Sequence, residues 1–176
     1  SQVVSTYTLA AIGGPVGLAT FTNITETSFK VNWSSGTASG GYNPIGTWYT
    51  VQISTLSDFS VVLDSVTTQN LYATFTGVDL SKSIYARGAG INALNVRGDW
   101  FSLGVLSAFI YSATTGNWSV GSTWVGGNAP QPADRVVIQP SHIVTLDPQQ
   151  NTTITGMIIK GTLQQANTYQ LTINTY

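Results

Sequence analysis

The chain of 176 residues contains no cysteine, so disulfides and thiolate metal sites are excluded. Charge is almost as scarce: 7% of residues are charged and the formal net charge is −1. Nucleic acids and anionic membrane surfaces are held through clustered Lys and Arg, so neither is expected as a partner. Long apolar runs are missing too. None approaches the roughly 20 residues of a membrane span, and no span is expected. One histidine, one glutamate and six aspartates leave little for acid/base chemistry or metal ligation. The chain is read as non-enzymatic, with no catalytic residue, no metal and no cofactor.

What is present is Thr, Ser, Asn, Gly and aromatic side chains, the composition of an extracellular, cell-surface all-β protein. The chain opens on Ser1 without a basic-then-apolar leader, as expected if a signal peptide has been removed or if this is a piece of a longer protein.

Strict alternation marks the strands. Ser28-Phe29-Lys30-Val31-Asn32-Trp33 places Phe29, Val31 and Trp33 on one face, and Thr47 to Ser54 places Tyr49, Val51 and Ile53 inward with Trp48 outward. Val16 to Thr22, Val61-Val62-Leu63, Leu71 to Thr76, Ile84 to Asn92 and Trp100 to Tyr111 supply the remaining strands. Short strands separated by Gly/Ser/Asn turns, with no helical period, predict an antiparallel sandwich.

The ordered set Pro15, Trp33, Gly46-Thr47-x-Tyr49-x-Val51, Thr74-Phe75-Thr76-Gly77-Val78, Tyr85-x-Arg87, Asn92 and Gly98 resembles a fibronectin type III domain over about residues 14–112, of the kind repeated in bacterial surface proteins. Two features depart from that pattern. Ile84 stands where the family's corner tyrosine is usual, and Ala86, Gly88 and Gly90 occupy inward positions where the family prefers Val. A core strand so poor in side chains needs large residues opposite it, or something inserted from outside.

After Ala113 the character changes. Asn117-Trp118-Ser119, Thr123-Trp124-x-Gly126-Gly127, Ala133-Asp134-x-Val136-x-Ile138 and Val144-x-Leu146-Asp147 resemble the opening of a right-handed β-helix domain of secreted bacterial proteins, over about residues 114–176. The resemblance implies short strands stacked as coils, whose edge invites association. The expected organisation is an N-terminal strand or linker over 1–13, a sandwich over 14–112 and β-helix-like coils over 113–176.

Exposed indoles are the candidate ligand or interface groups: Trp48, Trp100, Trp118 and Trp124. Trp118 and Trp124 are expected at a seam between the two domains. Val4 to Leu9 lines up with Leu106 to Tyr111, so the N-terminus reads as the tail of a preceding similar module, although short β-prone runs also resemble one another by chance. Its residues Val3, Val4, Tyr7 and Leu9 are the expected donated strand, pairing with a neighbouring copy and filling the space left by Ala86, Gly88 and Gly90. His142, with Asp134 and Asp147 as the nearest carboxylates in sequence, reads as structural, and the two aspartates as turn formers. No G-x-S-x-G elbow occurs.

The expected function is that of a structural and adhesive module of a bacterial surface protein or filament, whose partners are other copies of itself or neighbouring domains. The alternative is a carbohydrate-binding or accessory portion of a secreted polysaccharide-degrading enzyme, with glycans as partners.

Overall fold

The computed structural model describes residues 8–147, 153–165 and 171–173. The chain is all-β, with 3-10 turns at Gly17–Thr20 and Gly121–Thr123 and no α-helix among the described residues. It divides into two compact units: one runs to Asp79 and takes in Ser83–Leu106, the other comprises Leu80–Lys82 and the residues from Ser107 onward.

The first unit is an antiparallel sandwich of the kind the fibronectin type III resemblance implies. In one sheet, Ser28–Ser34 pairs with Gly14–Pro15, Phe21–Thr22 and Tyr72–Thr76; in the other, the order is Phe101–Leu106, Ile84–Ile91, Trp48–Ser54, Asp64–Thr68. The alternation works as read: Phe29, Val31, Trp33, Tyr49, Val51, Ile53 and Phe75 are all buried. The Trp33 and Tyr49 rings meet edge-on across the sheets at 5.8 Å, which ties the two faces into one core.

Two expectations for this unit are corrected. Val16 to Thr22 is not one strand, because Gly17 adopts φ +64° and Thr20 Oγ1 accepts from Val16 N–H and donates to the Gly17 carbonyl, closing a turn before Phe21. Val61-Val62-Leu63 lies exposed ahead of the strand, which runs over Asp64–Thr68. There the Ser54 hydroxyl donates to the Val61 carbonyl at 2.6 Å.

The glycine-rich strand lies as its alternation implies. Ile84, Ala86, Gly88 and Gly90 do face inward. The room they leave is filled from within the same chain. A Cβ on Gly88 would lie 2.7 Å from the Phe101 ring, and one on Gly90 would lie 2.6 Å from Ala10 Cβ. An inserted strand of another copy is therefore not required at these positions. Val3, Val4 and Tyr7 lie outside the described residues, while Leu9 is exposed.

In the second unit the pairing becomes parallel. Phe109–Tyr111, Arg135–Ile138 and Gly156–Ile159 form one sheet, Gly116–Asn117, Ile143–Leu146 and Thr162–Gln165 a second, and Thr153–Ile154 with Thr172–Ile173 a third. Phe109–Tyr111, expected to close the sandwich, belongs here instead. Its partners are set by a parallel register of Ile110 on Val136 and Val136 on Met157, which stacks like residues over like.

Ile110, Val136, Met157, Val144 and Leu163 all pack in one apolar cluster with Trp118, Trp124, Ile138, Leu146 and Ile154. Asn117 and Gln164 stand exposed in the register positions flanking it. Where the chain turns from one sheet to the next, Gly161 lies so close to the carbonyls of Gln139 and His142 that no side chain fits.

Candidate functional site

Trp100 is the centre of the most elaborate side-chain arrangement on the first unit. The Arg87 guanidinium lies 4.3 Å from its ring centroid and that of Arg97 lies 4.4 Å from it, while Arg87 also covers the Phe59 ring at 4.2 Å. Two of the three arginines in the whole sequence thus meet at one indole. Cation–π attraction between a guanidinium and an aromatic face is worth roughly 0.5–1 kcal/mol at exposed sites and more when water is excluded.

The backbone is shaped to build this cluster. Arg87 projects outward because its neighbours Ala86 and Gly88 face the core. Gln52, its antiparallel partner, accepts from Arg87 Nε at 3.0 Å and Nη2 at 2.7 Å through one carbonyl oxygen. Phe59 adopts φ +56°, a left-handed conformation that an aromatic side chain seldom takes. The turn that imposes it is fixed by Asp58, whose Oδ1 accepts from Ser60 N–H at 3.0 Å and from the Ser60 hydroxyl at 2.9 Å. Those two bonds hold the Asp58 carboxyl below its ordinary value.

On the far side, the ladder between Phe101–Leu106 and Ile84–Ile91 slips between Ser102 and Gly104, a bulge in which Gly104 takes φ +94°. Between these features lies an open pocket of about 230 Å³, walled by Ser57, Phe59, Tyr85, Arg87, Trp100 and Ser102. Burial, and after it the like charge of Arg97, push the Arg87 guanidinium below its usual range. The two cations repel each other.

Trp48 sits elsewhere on the same unit, 49% exposed, beside an open groove of about 450 Å³ that Leu9, Asn43, Ile45 and Asn92 also line. The two amides of that groove are committed to the N-terminal segment. Asn43 Oδ1 accepts from Ala11 N–H at 2.7 Å and its Nδ2 donates to the Ala11 carbonyl at 2.9 Å, while Asn92 Nδ2 donates to the Thr8 carbonyl at 3.2 Å. What remains open to a partner is the apolar surface of Trp48, Leu9 and Ile45.

Trp118 and Trp124 are not exposed. They are 0% and 2% accessible, meet edge-on at 4.9 Å, and belong to the core of the second unit itself. Trp124 Nε1 donates to the Trp118 carbonyl at 2.8 Å, and Trp118 N–H donates to the Thr145 carbonyl at 2.8 Å. Both are pillars of the stacked strands, so the exposed ligand aromatics expected at these positions are buried instead.

His142 Nδ1 lies 2.9 Å from the Ser112 hydroxyl, which also accepts from Gln139 N–H at 2.8 Å. Ser112 is 2% exposed and His142 half-buried, and the pair joins one turn of the stack to the next. The carboxylates near it in sequence are engaged elsewhere: Asp134 accepts from Gln131 N–H at 2.6 Å, and Asp147 accepts from the Ser119 N–H and hydroxyl. Among the described residues no cluster of three or more His, Cys, Asp and Glu could hold a metal ion, and no helix is long and apolar enough to cross a membrane.

Phe59, Gln52, Arg87 and Arg97 escaped the reading of the sequence as site residues. The outward register of Arg87 opposite Gln52 was the one signal available for them. Nothing local announces that Phe59 reaches Arg87.

Residues 123–176 match the family model of the G8 domain. Among solved structures, the chain is similar to the fn3 domain of human collagen alpha-1(XX) chain, at 16% identity and a TM-score of 0.41, covering 60% of this chain and 92% of that one. No curated protein matches the chain.

Proposed function

We propose that this chain is an extracellular, non-enzymatic structural and adhesive module of a bacterial surface protein or filament, in which a fibronectin type III-like sandwich precedes the first coils of a right-handed β-helix. The observation that carries the reading is the parallel stack of the second unit. Its strands superpose in register around a continuous apolar cluster, the arrangement in which each coil buries its face only against its neighbours.

The outermost described strand of one sheet, Gly156–Ile159, pairs on one side with Arg135–Ile138 and presents a half-exposed Ile159. A parallel edge of this kind is a template for another copy. Light scattering with negative-stain microscopy on the full chain tests this. Concentration-dependent assemblies that Ile159→Lys disperses support the reading, and a chain that stays monomeric at every concentration overturns self-association through this edge.

A second reading, glycan contact by an accessory module, is favoured by Trp48, whose exposed ring offers an apolar platform. A glycan array with Trp48→Ala as control tests it. Signal that survives the substitution speaks against that platform.

A further inference from the structure

We infer that the groove beside Trp48 binds a neutral, linear oligosaccharide, with one hexose stacked by its C–H face on the exposed indole. The inference deepens the glycan-contact reading of Trp48 and rests on it: it names the class of glycan.

The groove is assembled from three separate segments of the first unit, residues 8–10, 43–48 and 91–93, and each is held in place by its own bonds. In the middle segment the Pro44 carbonyl accepts from Thr47 N–H at 3.2 Å and from its hydroxyl at 2.8 Å. Gly46 takes φ +89° there, and its carbonyl accepts from Gln69 Nε2 at 2.9 Å. That turn delivers Trp48 as the first residue of its strand, in register with Ile91 and on the face opposite the buried Tyr49.

The other two segments are tied to each other. Asn92 Oδ1 accepts from Leu94 N–H at 3.0 Å and from Val96 N–H at 2.9 Å, while its Nδ2 donates to the Thr8 carbonyl. Asn43 holds Ala11 by both of its backbone groups, and Ala10 rests against Gly90, where no side chain fits. Walls fixed in this way reduce the ordering that a ligand must impose on binding.

The chemistry of the lining selects the ligand. No charged residue lines the groove, and its two amides are already engaged. What it presents is the half-exposed indole, the aliphatic groups of Leu9 and Ile45, and the hydroxyls of Thr8 and Thr47. A pyranose suits such a surface, because its C–H face lies on an aromatic ring while its outer hydroxyls stay in water at the open side. The volume of about 450 Å³ falls within the roughly 300–1,000 Å³ of small-ligand sites, and an open groove admits a chain that runs on in both directions.

The alternatives fit less well. An acidic glycan or a nucleic acid would find no cation among the lining residues. A protein partner is expected to meet a centre rich in aromatic, Met and Arg side chains, and here one aromatic stands without Met or Arg.

The test is a titration of the full chain with cellohexaose and with chitohexaose, followed by calorimetry and by tryptophan fluorescence, with hexagalacturonate as a third arm. The expected result is saturable binding of a neutral hexasaccharide that is indifferent to salt, roughly tenfold weaker in Trp48→Ala and unchanged in Ile159→Lys, a residue of the other unit. Trp48 is half-exposed, so Trp48→Ala should keep the parent melting temperature, and Trp48→Tyr should retain part of the affinity.

Hexagalacturonate binding as tightly as the neutral oligomers, and lost in Trp48→Ala, overturns the neutral class while leaving glycan contact at Trp48 in place. Saturable binding that ignores Trp48→Ala overturns the site. No binding in any arm overturns both, and self-association that Trp48→Ala disperses, without glycan binding, assigns the groove to a second copy instead.

Discussion

Gly88 and Phe101 face each other in the antiparallel register, and the Phe101 ring stands 2.7 Å from where a Cβ on Gly88 would lie. The same ring stands 2.7 Å from the corresponding point on Gly13. Phe101 is therefore a wedge between two positions that must lack side chains, and it supplies the volume that the glycine-rich strand leaves out.

Gly88→Ala should therefore destabilise the first unit, because the ring has no room to retreat toward Gly13. Overpacking of this kind costs about 1–3 kcal/mol. Phe101→Ala should cost more, about 3–5 kcal/mol, by opening a cavity over both glycines. Urea unfolding measures both, and a Gly88→Ala chain as stable as the parent would count against the wedge.

Gly161→Ala should act on the second unit. The new methyl would collide with the carbonyls of Gln139 and His142, backbone groups that cannot swing aside. A loss of about 1–3 kcal/mol is expected, with the fluorescence transition of the buried Trp118 and Trp124 shifted to lower urea. An unshifted transition would show that the turn relaxes freely.

Ser112→Ala should leave Gln139 N–H and His142 Nδ1 without the hydroxyl that joins them. Stranding buried polar groups costs about 1–3 kcal/mol. Thermal unfolding followed by circular dichroism should show the loss. Ser112→Thr, which keeps the hydroxyl, should recover part of it.

Asp58 should titrate below its ordinary value of 3.8, since Ser60 N–H and hydroxyl both bind its charged form. Because the folded state lowers this pKa, the associated stability is present above the ordinary value and is lost as pH falls through the folded one. Carboxyl chemical shifts across an acid titration read the midpoint directly. Ser60→Ala should raise it and loosen the turn that holds Phe59 on Arg87, and an unmoved midpoint would sever that link.

Much of the architecture was legible from residue to residue. The alternation of Phe29, Val31 and Trp33, the inward Tyr49, Val51 and Ile53, and the side-chain-poor strand at Ala86, Gly88 and Gly90 are consequences of a period of two that each strand carries within itself. By itself, then, the sequence determined which faces are buried and that the chain is all-β.

Tertiary structure alone decided who meets whom. Phe109–Tyr111 could close a sandwich or begin a parallel stack with the same residues, and its register on Arg135–Ile138 made the choice. Trp118 and Trp124 have the same sequence neighbours whether they lie on a surface or in a core, and stacking around them buried both. The Arg87 cluster likewise needs Phe59, Gln52, Arg97 and Trp100, drawn from separate strands and loops. The physical reason is common to all three: periodicity is set by the geometry of adjacent peptide units, whereas contacts between distant segments depend on the packing of the whole unit and leave no period in the chain.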